Sequence, residues 1–124
     1  GSAAMMVMDE TTDMVWLAEN LTHFYKHESC GKCTPCREGS DWMHKILQKI
    51  LRGEGAMKDL DLLLSIANNI GGKTLCPFGD AEIAPVVSTL QHFRAEYEHY
   101  IREGRSLVPR ADWMPRTLVP AHAH

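Results

Sequence analysis

The stretch ESCGKCTPCREG, Glu28 to Gly39, sets Cys30, Cys33 and Cys36 at every third position. The fourth cysteine, Cys76, stands far downstream, so the full spacing is C-x2-C-x2-C-x39-C. Thiols packed this closely in sequence make strained disulfide partners for one another. No positively charged, apolar, small-residue leader precedes them, so nothing points to secretion and the pattern reads as metal binding or redox chemistry. Four-cysteine zinc sites usually come as two C-x2-C knuckles. A tight triple with one remote partner suits a cubane better, because each thiolate then reaches a different iron from a loop wound around one face. Pro77, directly after Cys76, also matches the Cys-Pro that closes the bacterial ferredoxin run. Spacing therefore favours a [4Fe–4S] cluster, with zinc and free thiols as the alternatives.

Working outward, apolar periodicity predicts four amphipathic helices. The first runs from about Asp13 to Glu28, with Thr12 as N-cap and Met14, Leu17, Ala18, Leu21, Phe24 and Tyr25 on its stripe. The second takes Thr34 as N-cap and Pro35 as its first helical residue, turns Met43, Ile46, Leu47, Ile50 and Leu51 inward, and stops at Gly53. The third covers about Met57 to Ile70, with Leu60, Leu63, Leu64 and Ala67 on one face. The fourth runs from about Asp80 to Glu103 through Ile83, Val86, Val87, Leu90, Phe93, Tyr97 and Ile101, and Pro85 near its start predicts a kink or a later beginning. Short connections favour antiparallel neighbours, so the expected fold is all-α, an up-down-up-down four-helix bundle. In that topology the loops after the first and third helices share an end, which brings all four cysteines together.

The remaining sequence sets bounds. At 124 residues the chain has the length of one domain. A net charge of −3 leaves no electrostatic footprint for nucleic acid. No apolar run approaches the ~18–20 residues of a membrane span, so no direct membrane insertion is expected. Ala3 to Met8, AAMMVM, reads as a strand with no partner in the chain. The organisation expected is a strand-like remnant of a preceding domain at 1–10, the helical cluster domain at 11–104, and an extended tail at 105–124 carrying Pro109, Trp113, Pro115 and Pro120. His23 and His27 have a spacing that can bind metal but read as surface residues. Trp16 and Trp42 fall off the main stripes and are candidates to face partner domains.

The cysteine stretch, together with TLCPFGDAEIAPV (Thr74 to Val87), HFRAEYEHYI (His92 to Ile101) and VMDETTDMV (Val7 to Val15), resembles the cluster-binding region of the flavin-bearing subunit of NADH:quinone oxidoreductase (complex I). Related subunits of NAD-linked hydrogenases and formate dehydrogenases carry similar motifs. Phe78 and Ala84 depart from the pattern, where a smaller aliphatic residue and a tryptophan are more usual. The resemblance implies that Cys30, Cys33, Cys36 and Cys76 ligate one [4Fe–4S] cluster. It also implies that FMN and NAD bind only in upstream domains of a longer parent subunit, and that the other partners are subunits of a NADH dehydrogenase complex. The location implied is cytoplasmic, peripheral on the inner face of the inner membrane, or the matrix side in a mitochondrion. The expected role is one-electron transfer from reduced FMN, with no catalytic acid, base or nucleophile. A non-redox module stapled by zinc or a cluster is the competing reading. Around the ligands, Gly31 allows backbone N–H groups to approach sulfur, while Lys32, Arg37 and Lys73 bring positive charge against Glu28 and Glu38. Pro77 and Phe78 are expected on the flavin-facing side.

Overall fold

The computed structural model describes residues 3–108, and these form five helices and no strand. They are α1 (Met14–Glu28), α2 (Thr34–Leu51), α3 (Met57–Ile70), α4 (Phe78–His92) and α5 (Arg94–Glu103). The tail beyond Val108 lies outside the described residues. α1 packs on α2 and α4, and α3 packs on the same two, so the four longer helices form a ring of neighbours. That ring fits the bundle expected from the short connections. Among the described residues no helix is long and apolar enough to cross a membrane.

Three expectations about the elements need correction. Residues 3–8 form no strand: Met5, Met6 and Val7 are exposed, and an isolated extended run has no partner for its ladder bonds. The long fourth helix is two helices, broken at Phe93 (φ −128°, ψ 30°), well past Pro85. Pro85 is carried inside α4, which begins at Phe78 rather than Asp80. The break turns α5 so that Tyr97 and Tyr100 enter the core. The Tyr97 hydroxyl meets Thr89 Oγ1 at 2.7 Å, and Tyr100 donates to the Asp13 carboxylate at the start of α1. Glu96 accepts the Met14 N–H at 2.9 Å, which ties α5 to the same place. The third correction concerns the face of α1. Its buried residues are Val15, Ala18, Glu19 and Thr22, whereas Phe24 is 56% exposed. Two of the buried four are polar, which an apolar stripe cannot reveal. Glu19 Oε1 bonds His44 Nε2 of α2 at 2.9 Å, and the Thr22 hydroxyl donates to the Ala18 carbonyl at 2.7 Å.

The helix starts shift by one residue. Asp13, not Thr12, caps α1, accepting from the N–H groups of Val15 and Trp16. Cys33, not Thr34, is the N-cap of α2, and its carbonyl accepts the Arg37 N–H at 2.9 Å. The core otherwise follows the predicted stripes, through Met43, Leu47 and Ile50 of α2, Leu60, Leu63 and Ala67 of α3, and Val86 and Leu90 of α4. Each fully buried leucine contributes roughly 1.5–3 kcal/mol over an exposed one. Trp42 stands on the outer wall of an open apolar groove of about 740 Å³ between α2 and α3.

Candidate metal centre

The turn from α1 into α2 and the turn from α3 into α4 meet at one end of the molecule. Between them lies a cavity of about 140 Å³ whose lining includes Cys30, Cys33, Cys36 and Cys76. All four cysteines therefore line one cavity from two loops. Cys33 is the N-cap of α2 and Pro77 that of α4, so both helices start beside the cavity with their positive dipole ends nearest it. The thiols differ in exposure: Cys30 and Cys76 are exposed, Cys33 is intermediate and Cys36 is buried. Burial pushes the Cys36 thiol up to about 11, against a Ser29 hydrogen bond that acts the other way.

Backbone conformation shapes both loops. Gly31 sits at φ +76°, a left-handed turn that L side chains rarely adopt, and lets the chain double back between Cys30 and Cys33. Arg37 clamps that turn, its Nη1 donating to the Gly31 carbonyl at 2.7 Å and its Nε to Glu38 Oε1 at 2.8 Å. In the other loop the Thr74 hydroxyl donates to the Cys76 carbonyl at 2.9 Å. Gly79 leaves room for it: a Cβ there would stand 2.5 Å from Thr74 Oγ1. The Asp80 carboxylate accepts the Gly72 N–H at 2.8 Å and fastens the same loop to α4.

Hydrogen bonds reach the sulfurs directly. The Leu75 N–H donates to Cys33 Sγ at 3.4 Å, and Ser29 Oγ lies 3.2 Å from Cys36 Sγ. From inside the bundle, the Cys36 thiol donates to Glu82 Oε2 at 3.3 Å. Glu82 is fully buried on α4, and burial raises its carboxyl to about 7, the Cys36 contact opposing that rise.

Of the residues singled out in the sequence, Glu28, Lys32 and Phe78 line the cavity with the cysteines. Gly31, Arg37 and Pro77 stand behind it, in the turns that carry the ligand residues. Lys73 turns away, its ammonium on Asn68 O and Asn69 Oδ1. Phe78 packs edge-on against Tyr25, ring centroids 5.4 Å apart. His23 stacks on His44, and His27 bonds Glu28 on the surface. Sequence reasoning passed over Ser29, Thr74, Gly79 and Glu82. Glu82 did carry a signal, an acidic residue one turn before Val86 in phase with the buried stripe of the helix.

Four thiols gathered on one cavity are a donor set for a soft metal or a cluster. The cavity volume is several times the ~30 Å³ that one water occupies in the liquid, so the site has room for a group larger than a single ion. Among the described residues, no group of three or more His, Cys, Asp or Glu side chains is arranged to hold one metal ion. The donor set and the room fit an iron–sulfur cluster.

Fold and site thus define a helical domain with four cysteines on the lining of one cavity. Residues 16–100 match the family described as the NADH-ubiquinone oxidoreductase-F iron-sulfur binding region, and the chain belongs to that family. It is 47% identical over 124 residues to the corresponding NADH-quinone oxidoreductase subunit of Streptomyces coelicolor, covering 98% of this chain and 28% of that protein. It is 44% identical over 103 residues to the mitochondrial NADH-ubiquinone oxidoreductase 51 kDa subunit of Neurospora crassa, covering 83% of this chain and 21% of that one. Among solved structures, an air-oxidised NAD+-reducing [NiFe]-hydrogenase superposes with a TM-score of 0.74 at 32% identity, over 90% of this chain and 18% of that one. The chain thus spans less than a third of the length of these relatives.

Proposed function

We propose that the chain holds one [4Fe–4S] cluster on Cys30, Cys33, Cys36 and Cys76 and serves one-electron transfer in the flavin subunit of a NADH dehydrogenase. The observation that carries this reading is the convergence of all four thiols on one cavity from two separate loops. The bound cluster would supply one-electron exchange, which a flavin reduced by hydride needs when it gives up its electrons singly. The chain's own residues do the rest. The thiols bind, and the Leu75 N–H and Ser29 hydroxyl hydrogen-bond to sulfur. The starts of α2 and α4 and Lys32 bring positive potential to the cavity while Glu28 on the same lining opposes it, so no net direction of the potential follows. Packing around Cys36 excludes water from the inner side.

In this reading FMN and NAD bind upstream domains of the parent subunit, the 11–104 segment is the cluster domain, and further subunits of the complex adjoin it. The assembly is peripheral on the inner face of the membrane, and Pro77 and Phe78 face the flavin. Substituting Phe78 in the full subunit is expected to slow flavin-to-cluster electron transfer, and an unchanged rate would remove that assignment.

The central test is anaerobic reconstitution of the chain with iron and sulfide. Four iron and four sulfide per chain, with visible absorption that bleaches on dithionite, is the expected outcome. Serine in place of Cys36 or Cys76 should abolish it. A colourless protein holding stoichiometric zinc in place of iron after expression and reconstitution would instead support a structural staple.

A further inference from the structure

We propose that Tyr25 is a positioning residue for the thiol centre, its ring holding Phe78 as an apolar wall that keeps solvent from the Cys36 sulfur. The role rests on the four-cysteine assignment above for what the wall protects. Tyr25 lies in the last turn of α1 and does not itself line the cavity. Its ring packs edge-on against Phe78, with centroids 5.4 Å apart and an interplanar angle of 79°. Phe78 does line the cavity, as the first residue of α4 and two positions after Cys76. The Tyr25 carbonyl accepts the Ser29 N–H at 2.9 Å. Ser29 in turn sets its hydroxyl 3.2 Å from Cys36 Sγ and accepts the Gly31 N–H at 3.3 Å. One residue thus fastens both walls of the cavity, the α1–α2 turn through its backbone and the start of α4 through its ring.

Only the second of these tethers depends on residue type. Any side chain at position 25 leaves the carbonyl to Ser29, whereas an edge-on aromatic contact needs a ring and attracts beyond the area it buries. The start of α4 has no side-chain cap hydrogen bond on Pro77, so the ring contact supplies restraint that the cap does not. Cys36 is the thiol with most to lose. It is 7% exposed, while Cys30 on the same lining is already exposed. Opening the wall therefore changes access to Cys36 and leaves Cys30 as an internal reference. An iron–sulfur centre on these thiols would be reached by water and chelators more slowly behind such a wall, since the apolar shell of a site controls solvent access.

The test compares Tyr25→Ala, Tyr25→Phe and Phe78→Ala in the 124-residue chain. In the metal-free chain, with its helical signal checked, alkylation by iodoacetamide is followed at each cysteine by mass spectrometry. Tyr25→Ala and Phe78→Ala should each raise the Cys36 rate several-fold relative to the Cys30 rate. Tyr25→Phe keeps the ring and should match the parent. Because Tyr25 acts through Phe78, Tyr25→Ala should add nothing in a Phe78→Ala background. In the reconstituted chain the two alanine variants should yield iron to a chelator several-fold faster than the parent. Leu47→Ala weakens the core about three turns along α2 from Cys36 and should leave the Cys36-to-Cys30 ratio unmoved, so loss of stability does not imitate the effect. Where Tyr25→Ala does not fold, Tyr25→Leu carries the same expected result. A ratio unmoved by removal of the ring, or a Tyr25→Ala effect that persists in full without Phe78, overturns the inference. If the parent chain takes up no iron and sulfide, the functional reading falls, while the alkylation rates still decide the role of Tyr25.

Discussion

Asp13 serves two ends of the chain with one carboxylate. Its Oδ1 caps the first turn of α1, and its Oδ2 accepts the Tyr100 hydroxyl in a buried contact. Asp13→Ala removes a cap worth about 1 kcal/mol and takes the acceptor from a buried hydroxyl at about 1–3 kcal/mol, so a loss of about 2–4 kcal/mol is expected in denaturant unfolding. Tyr100→Phe should lose less, because the cap remains. Asp59 carries a pH dependence on the acid limb. Burial raises its carboxyl, but Lys49 at 2.8 Å and the Ala56 N–H outweigh it, so the net pKa lies below the ordinary value. A depressed carboxylate contributes stability above its unfolded pKa and loses it as pH falls through the folded one. Unfolding midpoints should therefore drop below about pH 4, the ordinary range for a carboxylate, and Asp59→Asn should flatten that limb. Residues of this kind were half legible. The sequence brought the four cysteines to one end, where they line one cavity, and the cap region of α1 was found to within a residue. The partners of Asp13 and Glu82 were not, because a sequence stripe gives a face and never the side chain opposite it.

At the scale of elements, the α4–α5 break is the clearest case of tertiary contacts overriding pattern. The apolar period runs on through Phe93, Tyr97 and Ile101, and no glycine or proline marks the break. Its cause is the pair of tyrosines that find partners on α4 and on the cap of α1. The predicted bounds of α3, by contrast, match, because Gly71 ends it and its buried face is apolar apart from Asp59 in the first turn. The turn after α2 offers a measurable comparison. Gly53 and Gly72 both sit at positive φ, +76° and +69°. A Cβ on Gly72 meets nothing, whereas one on Gly53 would lie 2.9 Å from the Gly104 backbone. Gly72→Ala should cost about 1–2 kcal/mol from conformation alone, and Gly53→Ala clearly more. Thermal melts of the two variants give the difference, which isolates the contact between the α2 turn and the end of α5.

For the whole molecule, the core is helical packing independent of the thiol end. Leu47→Ala should cost about 2–5 kcal/mol, since that side chain is fully buried between helices. Stripping iron with a chelator should leave the far-UV helical signal in place while lowering the melting midpoint, as expected for a ligand that binds only the folded state. An unfolded metal-free chain would contradict this and make the centre an obligate part of the fold. The bundle and the meeting of the cysteines were both legible from short connections and periodicity. Residues 3–8 form no strand here, in keeping with the absence of a partner strand already evident from the sequence.

The Asp13–Tyr100 contact joins residues 87 positions apart. α1 with α2, α2 with α3 and α3 with α4 are pairings between chain neighbours, each closing a short loop. The seam of α1 with α4 and α5 is different, since it must bring the two ends of the helical region together and carries the largest closure entropy. Folding order follows: hairpins of adjacent helices form early, and the seam closes last. The four-thiol cavity lies across that same seam, with three cysteines arriving beside α1 and the fourth arriving with α4. A chain that has not closed cannot present a complete ligand set. Metal uptake kinetics, followed during refolding, should therefore track the slowest folding phase and not the appearance of helix.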